Sequence, residues 1–325
     1  MATYTSADFG FLLADGFSLL GTVTALNDSV EAILEEIHAL GDEWFKFGSP
    51  GIRKGALSQS GFYDAAAGQV NAMLANQEGA SRILCWCTEK NLLGATFIGY
   101  QGALQAKYDR VVELDKFHKA NAVYNPSGNI DRGQVLHIHK TETGASWSGA
   151  GVDNASAALK GCAVPVVGNT AADPAHIITT VPHGLVTGDV VLISDLVGAV
   201  PDLNGEHVIT YVSDTEFSIP VAVSVGGTGG YLVQADSDNG GAAYLEVSAL
   251  ALGGYTNAAI TVKHSTDNAT WVTLASFVAV TLAPSAQRVL VAAGTKVNRY
   301  LQDAGAFTGA GSAQSIKYMS GFARL

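Results

Sequence analysis

The chain has 325 residues, 48% of them apolar and only 14% charged, with a formal net charge of −11. It is too apolar for disorder, long enough for two or three domains, and too acidic to hold duplex DNA, which needs Lys and Arg to displace phosphate counterions. No apolar run of about 18 residues suggests a membrane span, no basic region opens a signal peptide, and three cysteines make no disulfide framework, which together read as a cytosolically made protein with reduced thiols.

The acidity is uneven. Residues 1–160 carry a net −5, residues 161–234 carry seven acids and no Lys or Arg, and residues 235–325 carry +1. A stretch without one basic side chain marks a separate compositional unit. Glycine is abundant (37 residues) and proline scarce (8), as suits many tight turns between short strands.

Residues 17–26, FSLLGTVTAL, are rich in Leu, Val and Thr and read as a strand. In 28–40, DSVEAILEEIHAL, local composition favours a helix capped by Asp28 or Ser29. Residues 41–64, GDEWFKFGSPGIRKGALSQSGFYD, read as turn, extended run, turn, extended run. A helix is predicted over 64–76, with Asp64 as cap and Val70, Met73 and Leu74 on one face. Strands are predicted at 82–87, 95–100, 103–114, 120–124 and 133–140, with NPSG at 125–128 as a turn.

Within 165–234, five short β-type runs (176–181, 189–194, 207–213, 216–221 and 230–235) alternate with turns, among them HGLVTGD at 183–189. That spacing predicts a small β-barrel or sandwich. From 235 onward, 244–252, 258–264, 270–277, 287–293, 299–302 and 315–322 read as strands. Ile260 and Val262 alternate with Thr261 and Lys263 as in a half-buried strand, and STDNAT at 265–270 fits a hairpin turn.

Chemistry does not converge. There is no nucleophile elbow, phosphate loop or dinucleotide fingerprint. Cys85 and Cys87 share a strand face and read as core. His137 and His139 share a strand face; with His118 they could make a metal site, and the simpler reading is two histidines on a half-exposed strand. Asp236-Ser-Asp238-Asn-Gly240 resembles the start of a calcium loop, but Val247 stands where the closing Glu would be, so an EF-hand fails. Adjacent Glu35 and Glu36 would face opposite ways on a strand and make no acid–base pair. Trp44 and Trp271 read as core or interface anchors, a sugar platform being the alternative for Trp271. No catalytic residue, cofactor or metal is assigned.

The 41–64 motif resembles the N-terminal signature of bacteriophage major tail (tail tube) proteins of long-tailed, non-contractile phages. It combines Gly-Asp before an aromatic, a Pro-Gly turn, a basic crossing and a closing Gly-Phe-Tyr-Asp. KHSTDNATWVTLASF at 263–277 and VNRYLQ at 297–302 resemble the C-terminal portion of a group of such proteins. In those, a block like VDNASAA (152–158) leads almost directly into one like GGAAYLEVSAL (240–250), so the chain between them reads as an insertion.

The resemblance implies a mainly β fold: a tail-tube-like β-sandwich or barrel with one short α-helix over 1–160, an inserted acidic β domain over 165–234 facing outward, and a C-terminal β-sandwich unit over 235–325 completing or decorating the tube. It implies a non-enzymatic virion subunit without cofactor, assembled in the host bacterial cytoplasm and not inserted in a membrane. Its partners would be itself, as rings of six or pseudo-hexameric rings of three stacked into a tube, the tape measure protein, and tail terminator and tip proteins. DNA would pass transiently. Over 28–40 the resemblance implies extended chain leading into the Gly-Asp turn, in place of the helix that local composition favours. The implied interface residues are Asp42, Trp44, Lys46, Pro50, Arg53, Lys54, Phe62, Tyr63 and Asp64, on a loop reaching the next ring. A host-surface or glycan-binding decoration protein is the alternative.

Overall fold

A computed structural model describes residues 9–19, 23–32, 35–36, 47–48, 53–64, 71, 74–75, 78–87, 89–153, 164–183, 185–234, 236 and 239–324. The protein is mainly β. The chain opens with β1 (Phe11–Ala14), β2 (Phe17–Ser18), β3 (Val23–Ala32), β4 (Glu35–Glu36), β5 (Phe47–Gly48) and β6 (Arg53–Phe62). It continues with β7 (Ser81–Cys87), β8 (Thr96–Val111), β9 (Lys119–Pro126), β10 (Ile130–Glu142), β11 (Ser146–Ser148) and β12 (Val152–Asp153). Then come β13 (Val164–Asn169), β14 (Ala175–Thr179), β15 (Val190–Ser194), β16 (Gly205–Val208), β17 (Thr210–Ser213), β18 (Glu216–Ile219) and β19 (Tyr231–Gln234). The last strands are β20 (Gly241–Ala251), β21 (Asn257–Ser265), β22 (Val272–Ser276), β23 (Ser285–Val291), β24 (Tyr300–Thr308) and β25 (Ser315–Arg324).

One sheet runs β2-β1-β7-β8-β10-β25-β20-β23, so strands from both ends of the chain share it. A branch, β3-β6-β9, joins it at β8. This is possible because β8 is a 16-residue strand with two sets of neighbours. Its first part, Thr96–Tyr100, pairs with Ile130–Gln134 of β10, and its second, Ala103–Val111, pairs with Lys119–Pro126 of β9.

The sequence predicts two strands, 95–100 and 103–114, where the structure has this one. It also predicts a chain reversal at NPSG. Instead β9 and β10 both run antiparallel to β8, and residues 127–129 bulge between them without reversing direction. The bulge is held by Ser127, whose N–H and hydroxyl both donate to the Gly102 carbonyl, at 3.1 and 2.6 Å. Gly102 has φ +62, and a Cβ there would lie 2.7 Å from Ser127 Oγ and 2.9 Å from Ser81 Oγ.

Of the two readings of 28–40, helix from local composition and extended chain from the tail-tube resemblance, the described part takes the extended one: Val23–Ala32 is strand β3, paired with β6 from Val23–Gly61 to Ala32–Arg53 with a register shift between Val23 and Ala25. Pairing partners override a weak local propensity. The predicted helix over 64–76 lies mostly outside the described residues; Ala75 N–H donates to the Asn71 carbonyl at 3.0 Å, one helical turn.

Four apolar cores result. Leu12, Leu57, Leu84, Tyr100 and Tyr124 fill the space enclosed by the branched sheet. Phe11, Cys85, Phe97, Tyr244 and Met319 form a second core. A third, with Leu245, Ile260, Leu301, Phe307 and Tyr318, lies between β20 and β25 and a five-stranded sheet ordered β11-β24-β21-β22 with β12 beside β24. Residues 164–234 form a seven-stranded sheet ordered β16-β15-β19-β13-β14-β18-β17 around their own core of Ile177, Val191, Ile193, Phe217 and Ile219. In its HGLVTGD turn, His183 Nδ1 accepts from Leu185 N–H at 3.0 Å and its Nε2–H donates to the Ser213 carbonyl at 2.9 Å, so the histidine is a structural peg. Arg299 bridges this unit to the rest, holding Asp153 at 2.7 Å and also pairing with Glu206.

Gly102 is predicted to be irreplaceable by a β-branched residue. Gly79 has φ +83 but open space around its Cβ position, which isolates the steric contribution. In chemical denaturation Gly102→Val should cost about 2 kcal/mol or more, and clearly more than Gly79→Val; equal losses would refute the crowding at Gly102.

Candidate subunit interface

The described interface candidates, Arg53, Lys54, Phe62, Tyr63 and Asp64, lie on or just after the return strand of a hairpin. Its outgoing strand is β3 and its return is β6; further out, Glu35 and Glu36 pair with Gly48 and Phe47. Asp42, Trp44, Lys46 and Pro50 lie outside the described residues. Arg53 opens β6 opposite Ala32, and Lys54 is exposed opposite Glu31. Arg53 and Lys54 are therefore strand residues rather than part of a loop.

β6 is supported unequally along its length. Leu57–Phe62 has β3 on one side and β9 on the other, whereas Arg53–Ala56 pairs with β3 alone. Burial follows the period of two over the inner part, with Leu57, Gln59 and Gly61 inward. The outer part leans on β9 and β10 by close approach: a Cβ on Gly55 would come within 2.9 Å of both Pro126 and Ile130. Only glycine lets the arm sit this close. β3 has β6 as its one partner among the described strands, so its other edge is open.

The structure does not gather the candidates into one patch. Lys54 stands on the outer part of the arm and Phe62, Tyr63 and Asp64 at its base, eight residues or about 26 Å along an extended strand. Phe62 is 44% exposed and meets Phe117 of the β8–β9 turn edge to face at 5.7 Å. That turn also exposes Val112 and Leu114. Tyr63 N–H donates to the His118 carbonyl at 3.0 Å, and the Asp64 carbonyl accepts from Asn71 N–H at 3.0 Å. These contacts fix the base of the arm.

Sequence reasoning missed the main anchor. Tyr100, fully buried on β8, donates its hydroxyl to Asp28 Oδ1 on β3. Burial, reinforced by the Asp28 carboxylate, pushes the phenol well above its usual pKa, so it stays a donor. Ser29 and Thr24 add hydroxyl bonds to the β6 carbonyls of Ala56 and Ser60, at 3.3 and 3.2 Å. Local composition offers Asp28 as a helix cap; nothing in the local sequence marks a partner 72 residues away.

The histidines do not form a metal site. His137 stacks on Tyr318 at 4.0 Å and reaches Glu142 at 3.1 Å, His139 Nε2 meets Ser248 Oγ at 2.8 Å, and His118 lies beside Tyr63. Among the described residues no cluster of three His, Cys, Asp or Glu could hold a metal. Cys85 and Cys87 are buried, free thiols. Asp236 pairs with Lys296 at 3.3 Å, while 237 and 238 of the calcium-like turn lie outside the described residues.

No protein-family model and no curated protein matches the chain. Among solved structures, a chain from the virion of a native gene transfer agent particle overlays 40% of this protein and 98% of its own length, at 13% identity and TM-score 0.32. A chain from the tail of an empty gene transfer agent particle gives 39%, 97%, 13% and 0.31. The Dit protein of SPP1, described as a paradigm of the hub adsorption apparatus in phages infecting Gram-positive bacteria, overlays 97% of this chain and 98% of its own at 8% identity and TM-score 0.26. At TM-scores this low, none of these overlays establishes a shared fold or function.

Two predictions follow from the local chemistry. Tyr100→Phe leaves Asp28 without its donor and should cost about 1 kcal/mol, with β3 amides 23–32 exchanging faster by hydrogen–deuterium mass spectrometry while β8 keeps its protection. His139 is depressed to about 4 by burial, then by the charges of Lys317 and His137. An unfolded histidine takes its proton near pH 6.5. Stability from neutral His139 is therefore complete above pH 6.5, is lost between 6.5 and 4, and falls no further below 4. His139→Gln should flatten the melting-temperature profile in that window; an unchanged slope would assign the acid sensitivity elsewhere.

Proposed function

We propose that the protein is a structural subunit of a long-tailed phage's tail tube, polymerising as stacked rings around a lumen that conducts genomic DNA. The reading is carried by the hairpin of residues 23–62. The described end of the tail-tube-like motif, Arg53–Asp64, forms and follows a return strand whose outer part has one neighbour among the described strands; the outgoing strand's other edge is open among them, and the pair is pinned by Tyr100 and Asp28. An open antiparallel edge is a template for another chain. A contact between unlike patches of identical subunits either closes a ring or propagates a stack.

In this reading the candidate residues from Asp42 to Asp64 meet an adjacent subunit, as do the exposed Phe62–Phe117 pair and the neighbouring turn. The acidic unit at 164–234 faces outward. A unit of that size is about 28 Å across and would obstruct a lumen that passes duplex DNA. The acidity of the chain suits DNA that slides past without being held. Ring copy number, the tape measure, terminator and tip partners, and assembly in the host cytoplasm come from the same resemblance.

The test is negative-stain microscopy of concentrated full-length protein, beside chains lacking 43–55 or 165–234. Hollow tubes are expected from the full chain and from the 165–234 deletion, and folded, soluble, unpolymerised protein from the 43–55 deletion. Discrete particles from the full chain at every concentration would favour a decoration or adhesin subunit. Normal tubes from the 43–55 deletion would remove the arm from assembly.

A further inference from the structure

The outer part of the arm overhangs a cleft of about 770 Å³, lined among others by Val30, Lys54, Ile130, Asp131, Arg132 and Arg324. β6, β10 and β25 each deliver one cation to this recess. None of the three has a carboxylate within ion-pair distance among the described residues. Glu31 faces Lys54 in the ladder but is exposed and does not line the cleft. Asp131 does line it, but its charge is taken by Arg288 at 2.8 Å, with the Tyr244 hydroxyl on the same oxygen at 2.5 Å. The Arg324 guanidinium is held only by the carbonyls of Val297, Asn298 and Arg299, which fix its position without neutralising it, and its Nε has no partner. Burial pushes Arg324 down to about 10, still a cation at neutral pH.

In a chain of net charge −11 such a recess runs against the general field, and it selects for anions. The same hairpin carries a matching anion. Its segment 35–46, EEIHALGDEWFK, holds Glu35, Glu36, Asp42 and Glu43 against a single Lys46. We propose that the Lys54–Arg132–Arg324 cleft receives the acidic segment 35–43 of a second copy of the chain, its cations binding that segment's carboxylates. The inference rests on the tube reading, which supplies the neighbouring copy. Donor and acceptor are then different patches of one subunit, so the contact is head to tail and propagates. Arg324, half-buried and carbonyl-bound, serves as the pre-positioned donor, while exposed Lys54 and Arg132 close over the incoming acid.

Charge reversal in the full-length chain tests this. A cleft variant (Lys54→Glu with Arg132→Glu) and a segment variant (Glu36→Lys with Glu43→Lys) are each expected to raise the critical concentration for polymerisation about tenfold or more. Both should keep the wild-type circular dichroism and melting temperature. An equimolar mixture should polymerise where neither does alone, because each variant's cleft then meets the other's segment. Wild-type-like polymerisation of either variant would overturn the inference and leave the tube reading intact. Rescue in a single chain carrying all four changes, but not in the mixture, would place the segment in its own cleft and also overturn it. A wild-type chain that forms no tubes would instead remove the parent reading, and this inference with it.

Discussion

One strand has to serve two branches of a sheet, and the rest of the architecture depends on how it does so. Through Tyr100, β8 is an interior strand between β7 and β10; beyond Gly102 it becomes the strand on which β9, β6 and β3 are laid. A left-handed residue at the hand-over re-aims the strand without ending it, as a bulge does. Ser127 satisfies the carbonyl that the break would leave without a ladder partner. The side chain two residues earlier, Tyr100, points into the enclosed core and carries the hydroxyl that fixes β3 through Asp28. The bend and the anchor of the arm therefore belong to one piece of local geometry.

The chain ends are joined by buried polar bonds as well as by the sheet. Asp131 on β10, Tyr244 on β20 and Arg288 on β23 form one network, with the guanidinium also 5.6 Å over the Tyr244 ring. Nearby, Glu246 of β20 accepts the Gly16 N–H at 2.5 Å, tying the first turn of the chain to a strand 230 residues later. Burial raises the Glu246 carboxyl, followed by the neighbouring Asp15 charge. A third set links Trp147, Tyr318, Asp303 and Ser320 at 2.6, 2.7 and 3.0 Å. A buried ion pair such as Asp131–Arg288 adds little net stability over apolar replacements, but losing one partner leaves the other stranded at a cost of about 3–5 kcal/mol. A slip of one residue in β20 would break the first two sets and a slip in β25 the third, so together they act as register locks on strands whose apolar faces alone tolerate less exact pairing.

Where the sequence could be read, the reason is periodicity. Ile260 and Val262 alternate with Thr261 and Lys263, and β21 is there; the HGLVTGD turn is a turn because His183 and Asp189 bond its own backbone. Where reading failed, the deciding partner was distant. Residues 28–32 carry helix-favouring neighbours, yet nine positions of β3 find pairing across β6. NPSG has the composition of a turn, but Gly102, 25 residues earlier, converts it to a bulge. The candidate interface was legible as a motif and not as a surface. Spacing in sequence could not show that Lys54 and Phe62 stand at opposite ends of β6, or that Arg132 and Arg324 arrive from other strands to share the recess with Lys54.

The unit at 164–234 shows what composition alone can enforce. With no Lys or Arg between 161 and 234, its acids find histidine as an internal partner, as in the His176–Glu216 hydrogen bond at 2.6 Å. Any stronger pair must borrow its cation from outside, and Arg299 provides it: the guanidinium holds Asp153 with two bonds, at 2.7 and 2.8 Å, and extends to Glu206. Because the bidentate Asp153 contact positions the fork, the Glu206 bond costs little additional side-chain entropy. Elsewhere the unit's surface is left with uncompensated acid, which resists sticking to other acidic copies. In the proposed tube, crowded outward units would repel one another while the basic cleft at each arm attracts, so assembly would be directed to the arm by both signs of charge.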